Sequence, residues 1–218
     1  MTIKERYSKV LEIFAREMPA PETELHYDTP FHLLIAVILS AQCTDKRVNL
    51  VTPALFEAFP DPQSLAAATP EAVFEMIRSV SYPNNKTKSL IGAARTIVED
   101  FNGEVPDNID DLMRIPGVGR KTANVMLAVV WNRAAMAVDT HVFRVSERIG
   151  LTTNSRTPLA TEKALVKHIP EELIPMAHHW LILHGRYTCK ARRPDCLNCP
   201  LTQVCRHYSR SAKEPSTL

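Results

Sequence analysis

The stretch Ile115–Leu127, which reads IPGVGRKTANVML, places two of the chain's six glycines one residue apart. A proline precedes the glycines and two basic residues follow them. Glycine tolerates positive φ, and because it has no Cβ another molecule can approach its backbone closely. Flanked by NIDDLMRI on one side and RKTANVMLAVVW on the other, the pattern predicts two helices joined by a tight glycine turn.

The same turn predicts an anion-binding site. The backbone N–H groups of Val118, Gly119 and Arg120 begin the second helix and have no acceptor within it. Such donors at the positive end of a helix favour a phosphate group. Phosphate contacts carry no base-sequence information, so binding of this kind would not depend on sequence. An ordinary helix–turn–helix corner that happens to use glycine is the alternative at this stage.

Length and composition indicate a globular protein. The chain has 218 residues, of which 45% are hydrophobic and 23% charged, and this is typical of a soluble domain with a real core. The N-terminus is charged from its fourth residue and lacks the apolar segment of a signal peptide. The longest apolar run, Leu33–Leu39, is much shorter than the ~20 residues that span a bilayer. We therefore expect a core helix there, no membrane association and a cytoplasmic protein.

Helix-start signals dominate the chain, and no alternating run bounded by hairpin turns is present. A Thr-Pro pair supplies an N-cap hydroxyl and a first residue with helical φ; such pairs occur at Thr29-Pro30, Thr52-Pro53, Thr69-Pro70 and Thr157-Pro158. The sequence predicts an all-α protein of about ten short helices. We expect the amphipathic N-terminal helix, residues 4–17, to dock on the C-terminal helices, which would give a two-lobed molecule with a cleft.

Charge and cysteines concentrate near the C-terminus. Between residues 186 and 210, six basic residues stand against the single acid Asp195, although the net charge of the chain is only +2. This favours a polyanion bound at one face, with a solvated tail as the alternative. Four cysteines in CKARRPDCLNCPLTQVC, residues 189–205, predict a metal centre, since disulfides are rare in the cytosol. Zinc ribbons use two CxxC pairs and this segment has one, so an iron–sulfur cluster and zinc both stay open. The fifth cysteine, Cys43, is predicted to be a small core residue of an apolar helix.

These motifs together resemble the endonuclease III branch of the helix–hairpin–helix DNA glycosylases. The resemblance runs from Tyr27 to Tyr208 through LIAVILSAQCTD, NGEVP, IPGVGRKTANV, AVDTHVFRV, HHWLILHGRYTC and the cysteine set. It implies a six-helix barrel domain over 23–133 that contains the helix–hairpin–helix, about 108–131. It also implies an iron–sulfur cluster domain formed by both termini, 1–22 and 134–218, with the cluster loop at 189–205 and a DNA-binding cleft between the two lobes.

The resemblance implies a catalytic lysine and a catalytic carboxylate. Lys121 lies in the first turn of the second hairpin helix, where the positive helix end and partial burial favour a neutral amine. That amine is implied to attack C1′ of a damaged nucleotide, expel the base and cut the strand by β-elimination through a Schiff base. Asp139, in AVDTHVFRV, follows an apolar approach and precedes a helix, so we expect it to be an N-cap as well as the carboxylate that stabilises the sugar. Without the family, a solvated lysine and a plain N-cap remain the alternatives.

A [4Fe–4S] cluster is the implied cofactor, with Cys189, Cys196, Cys199 and Cys205 as its ligands. The implied DNA contacts are Gln42, Tyr82, Gly117, Val118, Gly119, Arg120, His141, Arg144, Lys190, Arg192 and Arg193. Relatives usually carry a leucine wedge in a GLYNSKA loop, whereas this chain reads VSYPNNKTK and places Tyr82 at that position. An aromatic ring there can stack on a base. Taken alone, Gln42 and His141 could be solvent-facing helix residues, and Tyr82 a partly buried loop aromatic.

The predicted function is a bifunctional DNA glycosylase and abasic-site lyase that acts on oxidised pyrimidines in base-excision repair. Its predicted partner is double-stranded DNA with damaged pyrimidines or abasic sites, and the protein is expected to be a monomer, cytoplasmic and nucleoid-associated. The adenine-excising relatives lack the hairpin lysine and carry an extra C-terminal domain, so Lys121 and a chain of this length argue against them. The residues by themselves also leave open a non-catalytic hairpin module that binds DNA and a redox protein whose basic loop docks an acidic partner.

Overall fold

A computed structural model describes residues 1–211 and confirms the all-α prediction, because no strand occurs in that part of the chain. Twelve α-helices are present there rather than about ten, together with one short 3₁₀ turn, Glu171–Leu173. The helices are α1 (Ile3–Glu17), α2 (Pro30–Ser40), α3 (Asp45–Ala58), α4 (Pro62–Ala66), α5 (Pro70–Ile77), α6 (Pro83–Asp100), α7 (Ile109–Leu112), α8 (Arg120–Trp131), α9 (Thr140–Ile149), α10 (Pro158–His168), α11 (Ile174–Tyr187) and α12 (Arg206–Ser211).

Three of the four Thr-Pro pairs begin helices as predicted. Thr29, Thr69 and Thr157 are the N-caps of α2, α5 and α10, and each hydroxyl accepts a hydrogen bond from the backbone N–H three residues later. The proline that follows each threonine is the first helical residue, where its missing N–H costs no hydrogen bond. The local chemistry of the pair is sufficient to begin a helix in these three places.

The fourth prediction, a helix beginning at Thr52-Pro53, is wrong. Pro53 lies inside α3, which begins eight residues earlier with Thr44 as its N-cap. The Thr44 hydroxyl accepts from the N–H of Arg47 at 3.3 Å. A proline in a helix interior removes one backbone hydrogen bond, but α3 continues through it because Val48, Val51 and Leu55 are buried along one face.

One compact unit spans Thr23–Trp131 and contains α2 to α8. Its most apolar helix is α2, in which every residue from Phe31 to Leu39 is buried, as the core-helix prediction required. Among the helices of residues 1–211, none combines the length and the apolar composition that spanning a bilayer requires. Cys43 does not lie in this helix, since α2 ends at Ser40, and its side chain is only half-buried. The prediction that Cys43 is a core residue is therefore wrong.

The second unit joins the two ends of the chain, Met1–Glu22 with the segment from Asn132 onward. Helix α1 packs on the C-terminal helices through a shared core that includes Tyr7, Phe14 and Trp180. The Tyr7 hydroxyl donates to the carbonyl of Leu151 at 2.9 Å, and the Phe14 and Trp180 rings stack with centroids 6.0 Å apart. The boundary predicted from the sequence lies two residues later, between 133 and 134. The identity of this unit as an iron–sulfur domain stays a prediction.

Candidate active site and nucleic-acid interface

The glycine hairpin forms as the sequence predicts. Asn108 is the N-cap of α7, and its side-chain oxygen accepts from the N–H of Asp111 at 3.0 Å, whereas α8 begins at Arg120. Between them Gly117 has φ +84°, and a Cβ on it would lie 2.9 Å from the Cβ of Ser89. Glycine is required at 117 twice over, once by the backbone conformation and once by the approach of α6.

The second glycine of the hairpin has a different environment. Gly119 does not have a positive φ, and a Cβ on it would meet nothing within 4 Å. The fold itself therefore does not require glycine at 119. The N–H of Val118 donates to the carbonyl of Ile115 at 3.0 Å. This acceptor lies in the turn and not in α8, but it takes up an N–H that the anion-site prediction counted as free. No acceptor for the Gly119 N–H is found within residues 1–211.

Lys121 is the second residue of α8 and lies in the first helical turn, as predicted. Its side chain is exposed rather than partly buried. The opposite face of the same helix is fixed in the core by Ala123 and Met126, which are both fully buried. The helix is thus anchored on one face while the amine of Lys121 stays accessible to an external reactant.

Asp139 is the N-cap of α9, as the sequence predicts. Its Oδ1 accepts from the N–H groups of His141 and Val142, both at 2.8 Å. The approach through Ala135–Val138 is buried, which fixes the backbone that leads into the cap. Within residues 1–211 no donor to the second oxygen, Oδ2, is found. One oxygen of the carboxylate is therefore held by the start of the helix.

The start of α9 is fixed by two contacts with α11 that the sequence analysis missed. His178 is 1% exposed, and its Nδ1 lies 3.2 Å from the carbonyl oxygen of Ala137, two residues before Asp139. A Cβ on Gly185 would lie 2.8 Å from the Cβ of His141, so the two helices touch where α11 has no side chain. These contacts hold the carboxylate-bearing turn against a packed helix.

Arg144 joins α9 to the cysteine segment. Its Nη2 donates to the carbonyl of Gly185 at 2.8 Å, and Nε and Nη2 donate to that of Cys189 at 3.2 and 3.1 Å. The same Nη2 is 3.2 Å from Nδ1 of His141. The guanidinium of Arg144 is thus committed to backbone carbonyls, which gives this residue a structural role beside the DNA contact that the sequence implied.

Gln42 and Tyr82 are both exposed and both have left-handed backbone conformations. Gln42 follows the end of α2 with φ 53°, and Tyr82 precedes α6 with φ 56° and ψ 50°. Tyr82 is 61% exposed. Positive φ is uncommon for a residue with a side chain, most of all for a bulky one, and costs on the order of 1 kcal/mol or more. Two exposed side chains held in this conformation are typical of a functional surface rather than of a packing solution.

The four C-terminal cysteines line one cavity, together with apolar side chains such as Ile149 and Leu201. All four are half-buried free thiols. Burial, followed by the charges of the neighbouring thiolates, raises the pKa of Cys199 to about 11. Within residues 1–211, no three His, Cys, Asp or Glu side chains already converge closely enough to hold a metal ion. The thiols surround a space and do not meet at a point.

The basic loop between the first two cysteines is anchored by Arg148, another residue that the sequence analysis did not single out. Its two terminal nitrogens donate to the carbonyls of Lys190 and Ala191, each at 2.8 Å. Nη1 also lies 3.6 Å from Sγ of Cys189. Arg148 is four residues after Arg144 on α9, so both side chains lie on one face of the helix. The exposed side chains of Lys190, Arg192 and Arg193 therefore project from a backbone that is tied to the Asp139 helix.

The helix–hairpin–helix and the residues around it define a class of DNA repair protein. Residues 35–171 match the family model described as HhH-GPD superfamily base excision DNA repair protein. The match includes the whole hairpin, Lys121 and Asp139.

Relatives and solved structures identify the family more narrowly. The endonuclease III of Rickettsia felis is 45% identical over 202 residues, which cover 93% of this chain and 94% of that protein. The structure of a trapped endonuclease III–DNA covalent intermediate, an estranged-adenine complex, is 43% identical with a TM-score of 0.92. A non-covalent endonuclease III–DNA complex is 42% identical, also with a TM-score of 0.92. Each alignment with a structure covers 98% of this chain and 100% of the other. The chain belongs to the endonuclease III family of the HhH-GPD superfamily.

Proposed function

We propose that the chain is a bifunctional DNA glycosylase and abasic-site lyase of base-excision repair, with oxidised pyrimidines as its substrates and Lys121 as its nucleophile. The observation that carries the proposal is the exposed Lys121 amine in the first turn of α8, directly after the glycine turn. A relative 43% identical to this chain forms a covalent intermediate with DNA. Covalent catalysis needs a nucleophile that can reach the reacting carbon, and an exposed amine beside a phosphate-binding turn meets that need.

The reaction follows from the chemistry of an amine and a nucleoside. The Lys121 nitrogen bonds to C1′ while the bond from C1′ to the base breaks, and the base leaves with the electron pair and takes up a proton. The nitrogen loses a proton, the C1′–O4′ bond of the sugar ring breaks, and O4′ takes up a proton, which leaves a protonated Schiff base at C1′. Removal of a proton from C2′ then forms a C2′=C3′ double bond and breaks the C3′–O3′ bond, and the strand on the 3′ side leaves with a 5′-phosphate end. Water finally hydrolyses the C=N bond and restores the lysine.

Asp139 is proposed to be the carboxylate of this reaction. As the base leaves, positive charge develops on the sugar, and a carboxylate held in place stabilises that charge without reorganising. The two N–H donors on Oδ1 fix the direction of the carboxylate. The free oxygen, Oδ2, is the atom proposed to face the sugar or to accept a proton from the attacking amine.

Backbone contacts to phosphate are proposed to hold the duplex. Since the fold does not require glycine at 119, the absence of a side chain there is explained by a DNA backbone that lies against this turn. Gly117 and Arg120 are proposed to contact the DNA backbone from the same turn. Val118 is proposed to lie against the DNA without donating its N–H to a phosphate. The basic side chains of the loop at 190–193 would contact phosphates elsewhere on the strand.

A damaged nucleotide stacked inside a duplex presents no C1′ face to the amine, so it must be turned out of the helix. We propose that Gln42 and Tyr82 fill the space that it leaves and that His141 contacts the opened site. The exposed ring of Tyr82 would stack on a neighbouring base. Because one chain carries all these groups, we also propose that the protein acts as a monomer, on nucleoid DNA in the cytoplasm.

The four-cysteine cavity fits the proposed [4Fe–4S] cluster in its donor set, since four thiols line it. Four thiolates placed side by side repel one another, so a bound metal cation is needed to hold them together. A single zinc ion with Zn–S bonds of about 2.3 Å would bring the sulfurs within about 4 Å of one another, whereas these thiols surround a cavity. When bound, the cluster would supply cross-links that fix the loop. Arg148 and Arg144 then hold that loop against α9.

Iron analysis tests the cofactor. Purified protein should contain about four iron and four sulfide per chain, with the broad visible absorption of an iron–sulfur cluster. Cys199→Ser should lose iron and that absorption, and its melting temperature should fall because the loop is no longer cross-linked. Cys43→Ser, which changes a thiol outside the cavity, is the matched control and should keep the cluster. One equivalent of zinc in place of iron would overturn the assignment.

A cleavage assay on defined duplexes tests the function. Duplexes with a single oxidised pyrimidine should lose the base and be cut at the lesion, leaving the 3′ end of a β-elimination product. An undamaged duplex of the same sequence should stay intact. Base release with no strand cleavage would overturn the lyase assignment. Binding to all the duplexes with no chemistry would favour the non-catalytic hairpin module.

A further inference from the structure

Lys86 is a buried lysine that the reaction described above does not use. It lies in the first turn of α6, and only 6% of its surface is exposed. Its Nζ donates to the carbonyl oxygens of Leu39 at 2.7 Å and Ala41 at 2.8 Å. Lysine is almost never fully buried unless its charge is compensated. The buried ammonium group of Lys86 is therefore explained by the two carbonyls that it binds.

The two carbonyls belong to the end of α2, where backbone acceptors have no partner within the helix. The last four carbonyls of a helix are unsatisfied and carry partial negative charge, so a cation there is stabilised. Burial lowers the pKa of Lys86, and the two short hydrogen bonds compensate the buried ammonium. The side chain thus acts as a cap for α2 that is supplied by a different helix.

The same residue also fixes the beginning of α6. The backbone N–H of Lys86 donates to the carbonyl of Tyr82 at 3.1 Å, which closes the first turn of that helix. Tyr82 is the exposed residue in the left-handed conformation, and Pro83 follows it. On the other side, Ala41 immediately precedes Gln42, which has the same unusual backbone conformation. One residue therefore binds both turns, through its side chain to one and through its backbone to the other.

We infer that Lys86 is a positioning residue for opening the duplex. It holds the Gln42 turn and the Tyr82 turn at the separation where their side chains fill the space of the everted nucleotide. The inference rests on the function proposed above. Backbone turns with positive φ persist only where their surroundings fix them. Lys86 supplies that restraint for Gln42, since without Nζ the carbonyls of Leu39 and Ala41, which precede Gln42 in the chain, lose their donor. Lys86 itself touches no reacting atom.

The test compares a duplex, in which the everted nucleotide leaves a space to be filled, with a single strand, in which no such space exists. Lys86→Met removes the ammonium group and keeps an unbranched side chain that can remain buried. Lys88→Met, on the exposed face of the same helix, is the matched control for the loss of one positive charge. Both variants and the wild type are assayed on a duplex with one abasic site and on the same abasic strand without its complement. Thermal melting confirms that each variant is folded.

We expect Lys86→Met to lose on the order of 10- to 100-fold in kcat/KM on the duplex, as for misplaced positioning groups, and less than about threefold on the single strand. Lys86→Arg, which can still donate to both carbonyls, should recover part of the duplex activity. An equal loss on both substrates, or no loss on the duplex, overturns the inference and leaves the proposed function intact. A wild-type protein that cleaves neither substrate overturns the proposed function and the inference with it.

Discussion

Lys121→Gln is expected to abolish the covalent adduct that borohydride traps when the protein acts on an abasic duplex. Borohydride reduces the C=N bond of a Schiff base to a stable amine, so the adduct reports the nucleophile directly. Glutamine keeps the length and polarity of the side chain but has no nucleophilic nitrogen. Loss of a nucleophile costs a rate factor of at least about 10³, so strand cleavage should fall to background.

The matched control for this variant is Lys88→Gln, which removes an exposed lysine from α6. It should form the adduct at the wild-type rate. Both variants should melt within a few degrees of the wild type, since neither side chain is buried. An adduct that survives in Lys121→Gln would mean that another amine attacks the sugar, and the assignment of Lys121 would then be wrong.

Two substitutions at Asp139 separate its structural role from its chemical one. Asp139→Asn keeps a side-chain oxygen that can accept from the N–H groups of His141 and Val142, and Asn and Asp are about equally good N-caps. The free energy of unfolding should therefore change little. The negative charge is gone, however, so base excision should fall by on the order of 10²- to 10³-fold, as for the loss of one electrostatic stabiliser.

Asp139→Ala removes both functions and provides the comparison. It should lower the free energy of unfolding by about 0.5–2 kcal/mol through the lost cap and lose at least as much activity as Asp139→Asn. Chemical denaturation and single-turnover base release measure the two effects separately. If Asp139→Asn excised the base at the wild-type rate, Asp139 would be a helix cap and nothing more.

Local signals in the sequence were sufficient to predict the helix starts and turns that depend only on neighbouring residues. Three Thr-Pro pairs, the glycine hairpin and the N-cap at Asp139 all form where the residue types predict them. The error at Thr52-Pro53 has the opposite cause. There the burial of one face of α3 outweighs the signal of a proline, and only tertiary packing decides which effect is larger.

The residues that the sequence did not reveal share a physical feature. Lys86, Arg148 and His178 each make their contacts with backbone carbonyls far away in the chain. A carbonyl carries no residue identity, so no pattern of side chains marks it as a partner. A lysine near the start of α6 and an arginine near the end of α9 look like ordinary surface residues until the fold is known. The N–H of Val118, which the anion-site prediction counted as free, is taken up for a similar reason, because a turn can close on its own backbone.

Peptide mapping of the reduced adduct identifies the attacking amine in the unaltered protein. Wild-type protein is incubated with an abasic duplex and borohydride, the DNA is digested, and the protein is cleaved and sequenced by mass spectrometry. We expect the sugar remnant to be attached to the side chain of Lys121, in the second helix of the glycine hairpin. A remnant on any other amine, such as the N-terminus or Lys190, would contradict the assignment, as would a protein that cleaves the strand and carries no remnant.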